Sequence, residues 1–399
     1  MAMTDQPLVA DLPAPPFTKR RISPARIRGL VIQGVVVLLL VGFAGYIAHN
    51  VAENIARLNI RTGLGFLFRP AGFEISQHLI PYQAQGSTYL QAFLVALINT
   101  VAVAVVAILL TTPLGFAIGL ARLSTNQLLA LVSRCYVDFV RNVPFLLQLF
   151  FWYFTVLGAL PPPRNSLDLF GAIFANRRGL YVPSPEWQPS FLTFAIALGI
   201  GIVLFYLLGR IAPHSTRIQS IPRWARIGIA LLPSLLVWAV VGAPVSFEVP
   251  ALQGFNFQGG MTLHPEFVAM VLALASYNAA FIAELVRGGI LSVPKGQIEA
   301  GLSLGLKRRQ INFLIVMPLA LRVIVPPLGS QYVQLLKASS LGAAIAYPDL
   351  MLVFAGTTLT QTNQPIEIMF ITMATYLFLC LLITGATNLV NKRVQLVER

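Results

Sequence analysis

An all-α, polytopic helical membrane protein is the fold class this sequence predicts, and three observations predict it. Hydrophobic residues make up 56% of the 399, and the mean hydropathy is +0.75. Charged residues make up only 11%, where a soluble domain is about a quarter charged. The chain therefore lacks the polar groups to cover a water-facing surface. Its apolar residues also gather into about eight stretches, each near the ~20 residues that cross a hydrocarbon core.

In order, the stretches are 29–48, 91–120, 143–160, 190–209, 226–244, 266–286, 312–336 and 366–390. Residues 1–28 precede the first; their opening part is proline-rich without apolar periodicity, and a disordered cytoplasmic tail is expected there. The first stretch reads as an uncleaved span, because its apolar run outlasts a signal-peptide core and no Ala-x-Ala site follows. Segment 49–89 sets Gly63, Gly65 and Gly72 among Phe66, Phe68 and Phe73, a mix that suits an interfacial or re-entrant stretch. The third stretch is short and can begin as early as Val132. After it, 161–189 opens with three prolines and reads as a solvated loop able to meet an external partner. The seventh holds Arg322 and Pro326-Pro327, so a kink is expected, since proline removes a helix hydrogen bond.

Charge orients these spans. With a cytoplasmic N-terminus, 20 of the 28 Lys and Arg residues fall on the inner side and six on the outer, leaving Arg322 and Lys337 within the seventh span. Positive residues resist translocation, so this orientation, with both termini cytoplasmic, is the expected one. The same rule accounts for the net charge of +14 without nucleic acid. Cys135 and Cys380 stand far apart in or near spans and form neither a disulfide framework nor a metal pattern. No G-x-x-x-x-G-K-[ST] or H-E-x-x-H motif occurs, so no P-loop or zinc-protease chemistry is written here. His49, His78, His214 and His264 are scattered. No cofactor is expected in this chain.

Between the sixth and seventh spans lies a polar insert that forms helix. Pro294 stands at its start, where proline is well placed. Ile298, Leu302, Gly305 and Leu306 share one face at spacings of three and four. Gly301 and Gly305, four apart, are expected to stack and permit close backbone approach. Glu299 sits in the first turns and Lys307, Arg308 and Arg309 are expected to close the helix, each sign at its favoured end of the dipole. Polar groups within apolar spans, Asn278, Gln331 and Gln334, either bond a neighbouring helix or line a translocation path. Glu284 with Arg287 and Asp138 with Arg141 are three apart on helices and are expected to pair near the cytoplasmic boundary, structurally or as gates.

The insert reads Glu299-Ala300-Gly301, three residues, Gly305, nine residues, then Ile315-Val316-Met317-Pro318. This resembles the EAA loop of ABC-transporter permeases, with Gly301 in place of the third small residue and Met317 in place of Leu. Tyr136 to Leu149, Tyr277-Asn278, Glu284 to Ile290, Pro318 to Arg322, Pro326 and Lys337-Ala338-Ser339-Ser340-Leu341 are similar to the polar amino-acid (histidine-type) subfamily. An early span and a large insertion resemble the larger permease of general L-amino-acid transporters. The resemblance implies a five-helix core, 90–160 and 266–390, within a permease domain 90–390. It leaves 29–89 as an extra first span and periplasmic segment, 161–265 as an insertion with two more spans, and 391–399 as a cytoplasmic tail. It further implies a permease subunit of an L-amino-acid importer in a bacterial inner membrane, forming half the path. Glu299, Ala300, Gly301, Gly305, Ile315 and Pro318 would couple the 294–309 helix to an ABC ATPase subunit that binds the ATP. A second homologous permease and a periplasmic amino-acid-binding protein would complete the assembly. The rival reading is an ion-coupled secondary amino-acid transporter, which ordinarily places ionisable groups deep in its spans; carboxylates there are nearly lacking.

Overall fold

Helices carry every membrane-length segment. The computed structural model describes residues 24–57, 62–211 and 223–394; of the expected tails 1–28 and 391–399, residues 1–23 and 395–399 lie outside the described residues, while 24–28 and 391–394 belong to helices. Among the described residues six helices are long and apolar enough to cross a bilayer, and a seventh segment qualifies if one bent pair is counted as a unit. The chain divides into two units, Met1–Thr62 and Gly63–Arg399. The first holds α1 (Pro24–Arg57), a helix that runs past the expected 48 and exposes apolar residues nearly all round, as a helix bathed in lipid does.

The second unit opens with segment 63–88, which is anchored: Phe66, Ala71, Ile75 and Tyr82 are buried with Tyr89 and Phe354. Thr88 and Gln91 then form a reciprocal capping box that starts α2 (Tyr89–Ala121). The third expected span is broken. Helix α3 (Gln127–Asn142), capped by Asn126, turns by 110° into α4 (Phe145–Phe150), which continues as a π-helical turn to Leu157. Pro144 excludes α geometry from the residue before it, and Val143 is extended at φ −100°, ψ 129°. The fifth expected span is a helix of 19 residues, Arg223–Val241.

The stretch 161–189, expected as a loop, carries short strands instead, as does the stretch that follows the inserted helices α5 (Ser190–Ile211) and α6 (Arg223–Val241). They form β1 (Leu167–Leu169), β2 (Ile173–Asn176), β3 (Gly179–Val182) and β4 (Ser184–Trp187) before the helices. After them come β5 (Val245–Glu248), β6 (Ala251–Gln253), β7 (Asn256–Gln258) and β8 (Met261–Leu263). All pairing is antiparallel, in a sheet of order β1-β2-β3-β8 and the two-stranded sheets β4–β5 and β6–β7. Pairs β3–β8 and β4–β5 join the two flanks, so the insertion closes on itself, with Phe257 stacked on Phe174 and Tyr181 at centroid distances of 4.8 and 4.6 Å.

The core forms where α2 packs on α7 (Pro265–Leu291). Small residues let the two run side by side in one direction: a Cβ at Gly115 would lie 2.6 Å from Ile282, and one at Gly119 2.8 Å from Ala283 O. The last spans are α10 (Met317–Ser339) and α12 (Pro365–Val394). Between them the chain breaks inside the apolar interior, through a 3-10 turn Ser340–Ile345, left-handed Ala346 (φ 61°) and a π-helical turn Leu350–Thr358 that ends in the short α11 (Leu359–Thr362). Backbone groups freed in lipid must be met by the protein. Asn99 Nδ2 donates to Pro348 O at 2.9 Å and to Gln77 O at 2.8 Å, Tyr347 Oη donates to Asn99 O, and Leu350 N donates to Thr100 Oγ1. The expected Pro326-Pro327 lie inside α10, which continues through them.

A methyl or more at Gly115 must displace Ile282. Gly115→Val is expected to lower the melting temperature in detergent by several degrees, an overpacking cost of about 1–3 kcal/mol. Gly288→Ala, where a Cβ meets nothing within 4 Å, is expected to be neutral or stabilising, and equal melting of the two variants would refute the packing argument.

Candidate functional site

The segment 294–309 holds α8 (Lys295–Ser303), with Pro294 as its cap residue. Its end differs from the expectation. Gly305 lies beyond the helix in the left-handed region at φ +75°. Its N–H donates to Leu302 O at 2.9 Å, and Leu306 N–H donates to Gly301 O at 3.1 Å. That pair of bonds is the Schellman closure, which favours glycine because no Cβ opposes the left-handed turn. Gly305 therefore stops the helix and does not stack on Gly301. Lys307, Arg308 and Arg309 do not close α8 either: Lys307 caps α9 (Arg308–Ile311), and Gln310 Oε1 accepts its N–H at 2.9 Å.

Gly301 provides close approach toward a different neighbour. It is buried, and a Cβ there would lie 2.9 Å from Ile315 Cδ1 and 3.1 Å from Ile311 Cγ1. So α8 is seated on α9 and on the π-helical turn Asn312–Val316 that leads into α10. Pro318 is the second residue of α10. The turn before it is wide, Met317 N–H reaching back to Asn312 O, where proline would otherwise interrupt the ladder. Ile298 and Leu306 face this seat with Ile315. Leu302 does not, being exposed with Glu299, Ala300 and Ser303, while Leu304 is 80% exposed. A short rod, gripped from one side, thus presents two leucines, a carboxylate and small residues on the other.

At the same end of α7 sits an ion cluster centred on Glu284. Arg287 Nε donates to Glu284 Oε1 at 3.1 Å, the expected pair. Arg141 Nη1 lies 3.6 Å from Glu284 Oε2 with its guanidinium 5.4 Å from the Phe281 ring centroid. Arg122, one residue past α2 and only 10% exposed on its side chain, bonds the same carboxylate. The expected Asp138–Arg141 pair is not among the described ion pairs; Asp138 stands 4.0 Å from Arg122 instead. One glutamate thus ties α2, α3 and α7 together. Arg122, the most enclosed of these charges, needs such a partner.

The expected path residues do not share a surface. Asn278 is 1% exposed and its Nδ2 donates to Leu274 O on its own helix at 2.9 Å, so it is an interior packing residue in this chain. Gln331 is half-buried with Oε1 enclosed, and Gln334 is exposed. Arg122, Asn99 and Asp349 are polar residues that sequence reasoning passed over. Asp349 is fully buried, its Oδ1 accepting Leu352 N–H at 2.8 Å. A lone Arg after a span, or an Asp after Tyr-Pro, carries no local signal of the helix it will meet.

Residues 111–396 match the model of a family described as binding-protein-dependent transport system inner membrane components. A putative amino-acid ABC transporter permease, YhdX of Escherichia coli, is 46% identical over 377 residues, covering 94% of this chain and 95% of that protein. The general L-amino acid transport system permease AapQ of Rhizobium johnstonii is 44% identical over 93% of each chain. The glutamate/glutamine/aspartate/asparagine transport system permease BztB of Rhodobacter capsulatus is 32% identical over 95% of this chain and 96% of its own.

Removing the central carboxylate leaves Arg122 with only Asp138, 4.0 Å away. Glu284→Gln is expected to cost about 1–3 kcal/mol, since an enclosed cation loses its bonded carboxylate, and Glu284→Gln with Arg122→Gln less than the sum of the single changes. Thermal denaturation of the four forms checks this, and strict additivity would show that the cluster does not act as a unit.

Proposed function

The chain belongs to the family of binding-protein-dependent transport system inner membrane components, and on that premise we propose that it supplies half of a translocation path and receives the work of a separate ATPase through segment 294–309. It is a permease subunit of an amino-acid ABC importer. The reading of the coupling segment rests on one observation: α8 is held by Gly301 against Ile311 and Ile315 while Glu299, Ala300, Leu302 and Leu304 stay uncovered. Exposed leucines on a short rod, beside a carboxylate, suit a groove on another protein.

In this reading ATP is bound by the partner ATPase, and its closure moves α8. The seat transmits that movement to α9 and α10. Through Ser292, Val293 and Pro294, α8 also follows directly on α7, whose Glu284 cluster holds α2 and α3. The core 90–160 and 266–390 then switches between inward- and outward-facing states against a second, homologous permease. A periplasmic amino-acid-binding protein delivers L-amino acids. The excess of basic residues at the ends that include α8 supports an inner-membrane subunit with both termini in the cytoplasm.

Substitutions on the uncovered face test the coupling with little risk to folding. Leu304→Asp and Glu299→Lys are expected to insert and melt like the parent. Each should lower both ATPase co-purification and ATP-dependent uptake about tenfold or more, the effect of losing an interface anchor worth ~1.4 kcal/mol. Wild-type uptake by both variants overturns the coupling assignment. Uptake that survives collapse of ion gradients and stops without ATP separates this importer from an ion-coupled transporter.

A further inference from the structure

Behind the seat of α8 the surface holds a groove of about 410 Å³. Leu120 and Leu123 line it from the end of α2 and the turn after it, Ile290 from the end of α7, and Asn312, Phe313 and Val316 from the π-helical turn. All of its lining residues except Asn312 are apolar. Helix α2 closes at Ala121, α7 closes at Leu291 and α10 opens at Met317. The groove therefore sits where membrane-length helices reach the bilayer surface. Phe313 and Leu314 at its mouth are 64% and 65% exposed, as side chains in contact with lipid are.

Unpaired cations stand over this mouth. Arg308 and Arg309 are one helical turn before Asn312 and Phe313. Both are exposed, and the Arg309 guanidinium lies 5.9 Å from the Phe313 ring centroid. With Lys307 they make three consecutive cations, and among the described residues no carboxylate pairs with any of them. Glu284, the carboxylate at this end of α7, is already shared by Arg122, Arg141 and Arg287. An apolar trough under free guanidinium groups, at headgroup level, complements a molecule with a hydrocarbon tail and an anionic head. A zwitterionic headgroup brings its own cation to the same mouth and gains less.

We propose that this groove binds an acyl chain of an anionic phospholipid whose phosphate is held by Arg308 and Arg309. Asn312, at the rim, offers a neutral donor to the ester oxygens. The site braces the coupling segment from behind. Ile311 and Ile315 of the same stretch meet Gly301 of α8, while Asn312, Phe313 and Val316 line the groove. A bound lipid thus stiffens the seat through which α8 moves α10. Lipid binding stands on the groove and its cations alone; its effect on ATP use rests on the importer reading above.

The test uses the intact importer purified in a neutral detergent. Phosphatidylglycerol is expected to raise its melting temperature more than phosphatidylcholine does, since a ligand that binds the folded state stabilises it. Inorganic phosphate should not reproduce the effect. Arg308→Gln with Arg309→Gln is expected to weaken the apparent affinity for phosphatidylglycerol about tenfold or more, the loss of charge-assisted contacts. Leu123→Trp, which fills the groove from outside segment 294–309, should weaken it comparably while the ATPase still co-purifies. In vesicles, phosphatidylglycerol should raise ATP-driven uptake by the parent and not by these variants. Equal stabilisation by the two lipids overturns the proposal, as does an unchanged phosphatidylglycerol response in either variant. Stabilisation by inorganic phosphate that matches phosphatidylglycerol and ignores Leu123→Trp would reduce the site to an ion contact and also overturn it. So would loss of the ATPase from the double arginine variant with its lipid response intact, which would assign the cations to the ATPase. A parent complex that binds phosphatidylglycerol as expected yet takes up no amino acid with ATP would instead refute the importer reading.

Discussion

A broken helix or a charge inside a bilayer has only the protein to satisfy it, and that requirement organises this chain around α2. Near one end of α2, Asn99 and Thr100 hold the backbone where the last spans break at Tyr347-Pro348-Asp349. In its middle, Thr111 donates to Ala275 O and Gly115 and Gly119 admit α7 at backbone distance. At its other end Arg122 enters the Glu284 cluster. Each contact answers a polar or steric demand that lipid cannot meet.

The same economy links the docking rod to the spans. Gly301 brings α8 onto Ile311 and Ile315, while Gly305 ends the rod so that Leu306 can return to the apolar cluster. Rod, π-helical turn and α10 are continuous in packing, and α7 reaches the rod through three residues. The insertion stands apart from this line. Its flanking strands pair with each other through β3–β8 and β4–β5, which lets two extra helices be added between α4 and α7 without cutting the α2–α7 core.

Legibility followed the range of the interaction. Glu284 and Arg287 are one turn apart, and they pair as spacing suggests. Asp138 and Arg141 have the same spacing and do not, because Glu284 on another helix offers Arg141 a carboxylate already inside a cationic cluster. Gly301 and Gly305 look like a stacking pair on a helical wheel, but the wheel assumes the helix continues. Asn278 reads as a path residue only while the covering of its helix face is unknown; α2 and α3 enclose that part of α7. The strands of 167–187 and 245–263 are three or four residues each, too short for an alternating pattern to stand out between prolines.

Composition and periodicity by themselves determined that this is a helical membrane protein, near where its spans lie, and that a helix with a docking-type motif hangs between two of them. Hydropathy and i,i+4 spacing are properties of the chain within one or two turns, so they survive without a fold. Tertiary structure alone decided where Gly305 stops the rod, which arginines share Glu284, and that Leu302 and Leu304 face outward. Those outcomes depend on which helix lies opposite, and pairing among helices in a low-dielectric core is a competition that no local window of residues records.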